Sequence, residues 1–370
     1  MPTFKTKEVA RLYQMFPAAY RTNRWAEMQR LANSNYAGAV AMGREQERTY
    51  RRIRAENVVS RRLRIQRVAL FTLFNRSEEQ LEAIFKTISD ELSDVVLDKA
   101  DRPGNIPLLN RKINEAGVQL RRQLNKWVTD HIWFAIRLGF KNVGDAFEPI
   151  FLANKEAFQE DLQEQAVIEE RLSFGITSDL AARGRPRITE TNPKWKKVLD
   201  KIYSSLVKTN NRGLKPSERV WEITQTAQAQ MKRLLVNEIA HGTPSRDIAK
   251  KLQKYLSPGV KGGEESTGPG VYKSPFKNAM RLARTEATRA YDTAVAEWSK
   301  DKRWVEGLRV VLSPSHVGPD ECDELAEAGT IYSPDEIQDV LPVHPHCTCQ
   351  PTPVMKDEYL ALFTHDFTEG

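Results

Sequence analysis

Over most of the chain, apolar residues recur at intervals of three and four, the periodicity of helices that bury one face. Ser77-Glu78-Glu79-Gln80 has the form of a capping box, and Leu81, Ile84, Phe85, Ile88, Leu92, Val95 and Val96 come after it at helical spacing. Pro103-Gly104 breaks this helix, and a second long pattern runs through Leu109, Ile113, Leu120, Leu124, Trp127 and Val128. Residues 156–192 read as a linker around Gly184-Arg185-Pro186-Arg187. Helical spacing resumes near Pro193 with Trp195, Val198, Leu199, Ile202 and Leu206. It continues from Pro216-Ser217 through Val220, Ile223, Ala227, Met231, Leu234 and Leu235. Gly242 suits a left-handed C-cap, and Thr243-Pro244 suits the cap and first position of a helix through Ile248, Leu252 and Leu256. The last two should form a helical hairpin from Ser217 to Leu256, within a helical hairpin domain over 193–256.

Residues 257–275 hold five glycines and three prolines, so a mobile loop is expected there. Beyond it, Phe276, Met280, Ala283, Ala287, Ala290, Ala294 and Trp298 mark one helix with a small-residue face, suited to close packing against another helix. The texture then changes: Leu308-Arg309-Val310-Val311-Leu312 alternates as a short strand, and turn residues fill most of the remaining sequence. The fold class expected is mainly α. An extended basic helical region over 1–155 and a helical hairpin domain precede a small α+β module over 276–354, stabilised by turns or a metal, with 355–370 as a tail.

The chain has 370 residues, with hydrophobic residues at 40% and charged residues at 28%. Those values exclude wholesale disorder and a disulfide-stapled miniprotein. No apolar run approaches the roughly 20 residues that cross a bilayer, and the first residues lack the apolar core of a cleaved export signal. A cytoplasmic site of synthesis is expected.

The formal net charge is +7, but it is unevenly placed. Residues 1–76 hold 16 Lys and Arg against 5 Glu and no Asp. Nine arginines fall in one short stretch: Arg44, Arg48, Arg51, Arg52, Arg54, Arg61, Arg62, Arg64 and Arg67. Ile53, Val58, Leu63, Ile65 and Val68 are interleaved with them and spread around the helical wheel. A helix both basic and apolar on all sides suits a position between partners, one of them nucleic acid or an acidic protein surface, better than the solvated face of a lone globule.

All three cysteines lie within 322–349 and three of the six histidines within 316–346. His344-Pro345-His346-Cys347-Thr348-Cys349 offers two or three ligands in one turn, and Cys322 offers a second half-site with His316 close before it. Zinc takes Cys and His in fours from two such half-sites. Cys322, His344, Cys347 and Cys349 are the expected ligands, with His316 as the alternate; a disulfide from Cys322 and a set of free thiols are the competing readings. The spacing departs from paired cysteines two apart, since Leu325 stands three after Cys322. Asp320, Asp323 and Glu324 could act as bases or be solvated. No phosphate-binding glycine loop, nucleophile elbow or His-Glu-x-x-His occurs. His131 and His241 read as packed or cap-side histidines, and Arg284 and Glu286, two apart on a helix, should each find a partner on another element.

The order Arg281-Leu282-Ala283-Arg284-Thr285-Glu286, Ala290-Tyr291, Trp298, a strand, Ser313-Pro314-Ser315-His316, Asp320 to Ala326, and Pro342-Val343-His344-Pro345-His346-Cys347-Thr348-Cys349 resembles the phage head-morphogenesis proteins, the Mu F-like minor capsid family. The resemblance covers about residues 190–354. It implies a minor component of a tailed-phage or prophage head, acting at the portal vertex in head assembly, DNA packaging or DNA ejection; no enzymatic activity is expected, because no nucleophile, base and electrophile converge in any motif. It further implies the portal protein, packaged DNA and the major capsid protein as partners, and the virion head as location after assembly in the host cytoplasm. The alternative is a zinc-dependent nuclease or toxin-like effector packaged with the head.

Overall fold

Leu81, Phe85, Ile88, Leu92 and Val96 fall on one side of a helix over 77–99, here α1, and all five are buried. The computed structural model describes residues 59, 62–63, 70, 74–75, 77–100, 102–153, 156–161, 163, 193–208, 216–258, 266–268, 271–313, 316 and 319–360. Among these the architecture is mainly helical with a small antiparallel sheet near the C-terminal end. Ser77 does not cap α1. It is itself helical, with helical residues at 74–75 before it, and its hydroxyl is bonded to His131 instead.

A 3-10 turn at Pro103–Asn105 reverses the chain into α2, Ile106–Ala153, whose 48 residues make a rod of about 72 Å. Its first half buries a stripe through Leu109, Ile113, Leu120 and Leu124; its second half, with Ile132, Ala135, Ile136, Val143, Phe147 and Phe151, is buried on several sides. The difference comes from its neighbours. α3 (Pro193–Lys208), α4 (Pro216–Ala240) and α6 (Pro275–Lys300) pack against α2, so the hairpin shares one continuous core with the rest.

Between α4 and α5 (Ser245–Leu256), Gly242 takes φ 68°, the left-handed cap expected from the sequence. The next helix start is displaced by one residue: Pro244 occupies the N-cap, and the Thr243 hydroxyl donates to Glu238 on α4 at 2.7 Å. Part of the expected loop is ordered as a hairpin of β1 (Ser266–Gly268) and β2 (Val271–Tyr272). Asn278 holds Tyr272 by accepting from its N–H at 2.9 Å and donating to its carbonyl at 2.6 Å.

Ser274 caps α6, and Ala283, Ala287, Ala290 and Ala294 are buried along it. Here α6 meets α2 so closely that a Cβ on Gly139 would lie 2.7 Å from the Tyr291 carbonyl oxygen and 2.8 Å from Ala294 Cβ.

β3 (Val305–Val311) is the expected strand, lengthened; its partner β4 (Gln350–Met355) is a strand the alternation rule missed. Pro351 and Pro353 hide it. In a two-stranded antiparallel sheet, alternate N–H groups face outward, and the prolines take those positions. α7 (Glu321–Ala328) and α8 (Ile337–Val340) lie between the strands in sequence. Trp304 sits among Phe147, Phe151, Phe158 and Trp298, and Lys302 ion-pairs with Asp161 at 2.9 Å. The start of the expected linker is therefore packed, with Phe158 and Asp161 buried.

Of the nine arginines, Arg62 is described and is exposed beside the buried Leu63; Arg44, Arg48, Arg51, Arg52, Arg54, Arg61, Arg64 and Arg67 lie outside the described residues. Among the described residues no helix is long and apolar enough to cross a membrane.

Candidate metal centre

Two segments build the site. Asp320 caps α7 by accepting from the Cys322 N–H at 2.7 Å, and Asp323 completes a capping box by accepting from the Asp320 N–H at 2.8 Å. The box fixes Cys322 in the first helical turn. The second segment is the turn His344–Cys349. His346 is left-handed at φ 64°, and this backbone reversal lets the residues on either side approach one centre.

The result is a cluster of Cys322, Cys347, Cys349, His316 and His344 that could hold a metal ion. Cys322 Sγ lies 3.6 Å from Cys347 Sγ and 3.4 Å from His344 Nε2, while Cys349 Sγ lies 3.9 Å from His316 Nδ1. Around a tetrahedral zinc with Zn–S of about 2.3 Å and Zn–N of about 2.0–2.1 Å, sulfur–sulfur edges are about 3.8 Å and sulfur–nitrogen edges about 3.6 Å. The edges through Cys322 have that size before any ion is placed. The sulfurs are almost wholly enclosed, with Cys322 at 0% exposure and Cys347 and Cys349 at 1%. All three cysteines are free, so the disulfide reading is set aside by the structure.

Both histidines are oriented by their other ring nitrogen. His316 Nε2–H donates to the Asp323 carboxylate at 2.7 Å, leaving Nδ1 toward Cys349. His344 Nδ1–H donates to the Pro345 carbonyl at 2.9 Å, leaving Nε2 toward Cys322. A carboxylate or carbonyl behind a histidine is the usual arrangement that fixes the tautomer of a metal ligand. His344 Nε2 also stands 3.1 Å from Asp320 Oδ2, a contact made favourable by a proton or by a metal ion on that nitrogen.

The electrostatics are those of crowded thiols that share little charge. Hydrogen bonding from Cys349 holds the Cys347 thiol down to about 5, whereas burial pushes Cys322 up to about 12 and the bond to Cys347 raises Cys349. The carboxyl of Asp320 is lowered first by the Cys322 N–H, and that of Asp323 first by the Asp320 N–H, then by His316. His346 belongs to none of the ligand groups; burial, then Arg284, Arg281 and His344, bring it to about 4.

The five candidate ligands fall into two triads that share Cys322, one with His316 and Cys349 and one with His344 and Cys347. Asp320 and Asp323, expected as bases or solvated charges, are instead caps that also set the histidines, legible as an Asp-x-x-Asp capping pattern. Tyr272 and Thr285 have no individual role in the sequence reading, and they carry no signal until the fold brings them to the turn. As expected, Arg284 and Glu286 find partners on other elements: Arg284 pairs with Glu78 at 3.6 Å and Glu286 with Arg219 at 3.0 Å. His131 is packed in the core, and His241 caps its helix by donating to the Asn237 carbonyl at 2.6 Å.

Compared with protein-family models, curated proteins and solved structures, the chain matches none.

Proposed function

We propose that this chain is a minor structural protein of a tailed-phage or prophage head, acting at the portal vertex through a zinc-stapled C-terminal module. One observation carries the reading. The two sequence pieces that resemble the Mu F-like family, the Arg281–Glu286 helix and the His344–Cys349 turn, touch one another: the His346 N–H donates to Thr285 Oγ1 at 3.4 Å. Around that contact lies a Cys/His cluster of zinc dimensions. Zinc on Cys322, Cys347, Cys349 and His344, with His316 as the alternate fourth ligand, would supply a cross-link between α7 and the turn in a segment with little apolar core of its own.

The nuclease alternative is less well supported. A hydrolytic zinc keeps a position open to substrate, but here the sulfurs are enclosed and the neighbouring carboxylates are engaged as caps. The reading therefore gives the module an assembly role, with the portal protein as the principal partner and packaged DNA and the major capsid protein as further ones.

The test is made in the phage or prophage that encodes the chain. A tagged copy should co-purify with the portal protein and be found in purified heads by mass spectrometry. Its absence from both would sink the proposal.

A further inference from the structure

Arg137 lies in the buried half of α2 and is 9% exposed, yet it has no counter-charge among the described residues. Its neighbours one turn away, Trp133, Phe134, Phe140 and Lys141, include no acid. Among the described residues no carboxylate, hydroxyl or carbonyl bonds its guanidinium, and Nε is sealed from solvent without a partner. Burial alone pulls its pKa down, with no acidic neighbour acting in the other direction. Other buried ions are matched: Lys302 meets Asp161 at 2.9 Å, and Glu286 meets Arg219 at 3.0 Å. Taking an ion out of water is costly, and only a well-placed opposite charge offsets it.

We propose that Arg137 anchors a docking site for a carboxylate on an acidic segment of a partner protein. The fork is recessed but not closed: Nη1 and Nη2 are not sealed as Nε is, so its tip opens to the surface. Side chains on a helix lean toward its N-terminus, which carries the guanidinium toward the turn of Trp133 and Phe134, both partly exposed. Trp133 is held by stacking on Tyr203 of α3, with ring centroids 4.5 Å apart. An arginine beside aromatic rings, with its fork unbonded, is the composition of an interface hot spot, where a carboxylate is desolvated and gripped in two places. A nucleic-acid strand fits less well, because it needs a row of available cations. Lys126 and Lys141, on the same side of α2, are each matched by an acid four residues on, Asp130 and Asp145, at 2.6 Å. One unmatched charge in a recess selects one carboxylate. The inference rests on Arg137 and not on the head-protein reading.

The full-length protein is titrated with a hexapeptide of alternating Trp and Glu, with its Trp and Gln counterpart, and with duplex DNA. Wild type should bind the Glu peptide about tenfold tighter than the Gln peptide, the effect of one charge-assisted pair. Arg137→Met should erase most of that preference. Lys126→Met, which removes an exposed, matched cation from the same helix, should keep it. DNA affinity should be equal in wild type and Arg137→Met. Without peptide, Arg137→Met should melt at a higher temperature than wild type, because an apolar side chain replaces an uncompensated buried charge. With saturating Glu peptide, wild type should gain in melting temperature and Arg137→Met should not. The docking site is overturned if wild type shows no preference between the peptides, or if Arg137→Met keeps it. A loss of DNA affinity in Arg137→Met equal to its loss of peptide affinity would assign the charge to phosphate and overturn the carboxylate. A variant that melts lower than wild type, or fails to fold, would show that the guanidinium is satisfied inside the protein, which overturns the proposal as well.

Discussion

The His346 N–H donates to the Thr285 hydroxyl across 61 residues, and this bond joins α6 to the turn that carries two of the thiols. The candidate metal cluster and the face of α6 are therefore joined by this bond: whatever loosens the turn moves His346 relative to α6.

Purified, reduced protein should contain about one zinc per chain. Cys322→Ser, which removes the sulfur common to both ligand edges, should abolish tight binding, whereas His346→Ala should leave zinc content unchanged. His344→Ala should release zinc to a chelator faster than His316→Ala. Metal analysis with chelator competition decides each point, and wild-type protein well below half an equivalent would refute the centre.

Loss of the metal should be felt locally. In Cys347→Ser, residues 313–349 should become sensitive to limited proteolysis while β3, α6 and α2 stay protected. Trp304 and its four aromatic neighbours hold the strand to α2 without help from the cluster.

Burial lowers the pKa of His131, whose Nδ1–H donates to the Trp127 carbonyl at 2.6 Å while Nε2 accepts from Ser77. The folded state thus keeps this ring neutral at a pH where the unfolded chain, near about 6.5, takes up a proton. Protons bind preferentially to the unfolded state below that value, so stability falls as pH drops, by at most about 1.4 kcal/mol per pH unit from this group. Denaturation at pH 7.5 and 5.5 should show a steeper loss in the wild type than in His131→Asn. Equal slopes would mean that His131 is not the titrating group.

Gly139→Ala should destabilise by about 1–3 kcal/mol, although alanine is the better helix former, because the new methyl meets backbone and a packed Ala294. Gly117→Ala should cost much less. There the obstacle is the side chain of Gln228 and not backbone, so the buried Gln228 can change rotamer, at the loss of its 3.3 Å bond to the Asn114 carbonyl. Chemical denaturation of the two variants side by side checks the order.

The Lys302–Asp161 pair is buried at 5% and 9% exposure. Asp161→Ala removes the carboxylate that pairs with the buried Lys302 and should cost about 3–5 kcal/mol, while Asp161→Leu/Lys302→Met should recover most of that loss. A double variant no better than the single one would show that the pair contributes more than mutual neutralisation.

Local chemistry was readable in the chain itself. Helical periodicity placed α1, α2, α3, α4, α5 and α6, because a buried stripe every three to four residues has few other solutions, and Gly242 marked a cap only a left-handed residue fills readily. Clustering of Cys322, Cys347 and Cys349 with His316 and His344 marked the site, since those side chains share an affinity for one kind of ion. The tertiary structure decided what depends on neighbours distant in sequence. Ser77 left its capping role for His131, and Pro351 and Pro353 became tolerable in β4 because, among the described residues, their outer edge has no partner strand. Gly139 became indispensable only where α6 crosses α2. The bond from His346 to Thr285 was likewise invisible in advance: a hydroxyl and an amide carry no pattern along the chain, and only the approach of a turn to a helix gives them to one another.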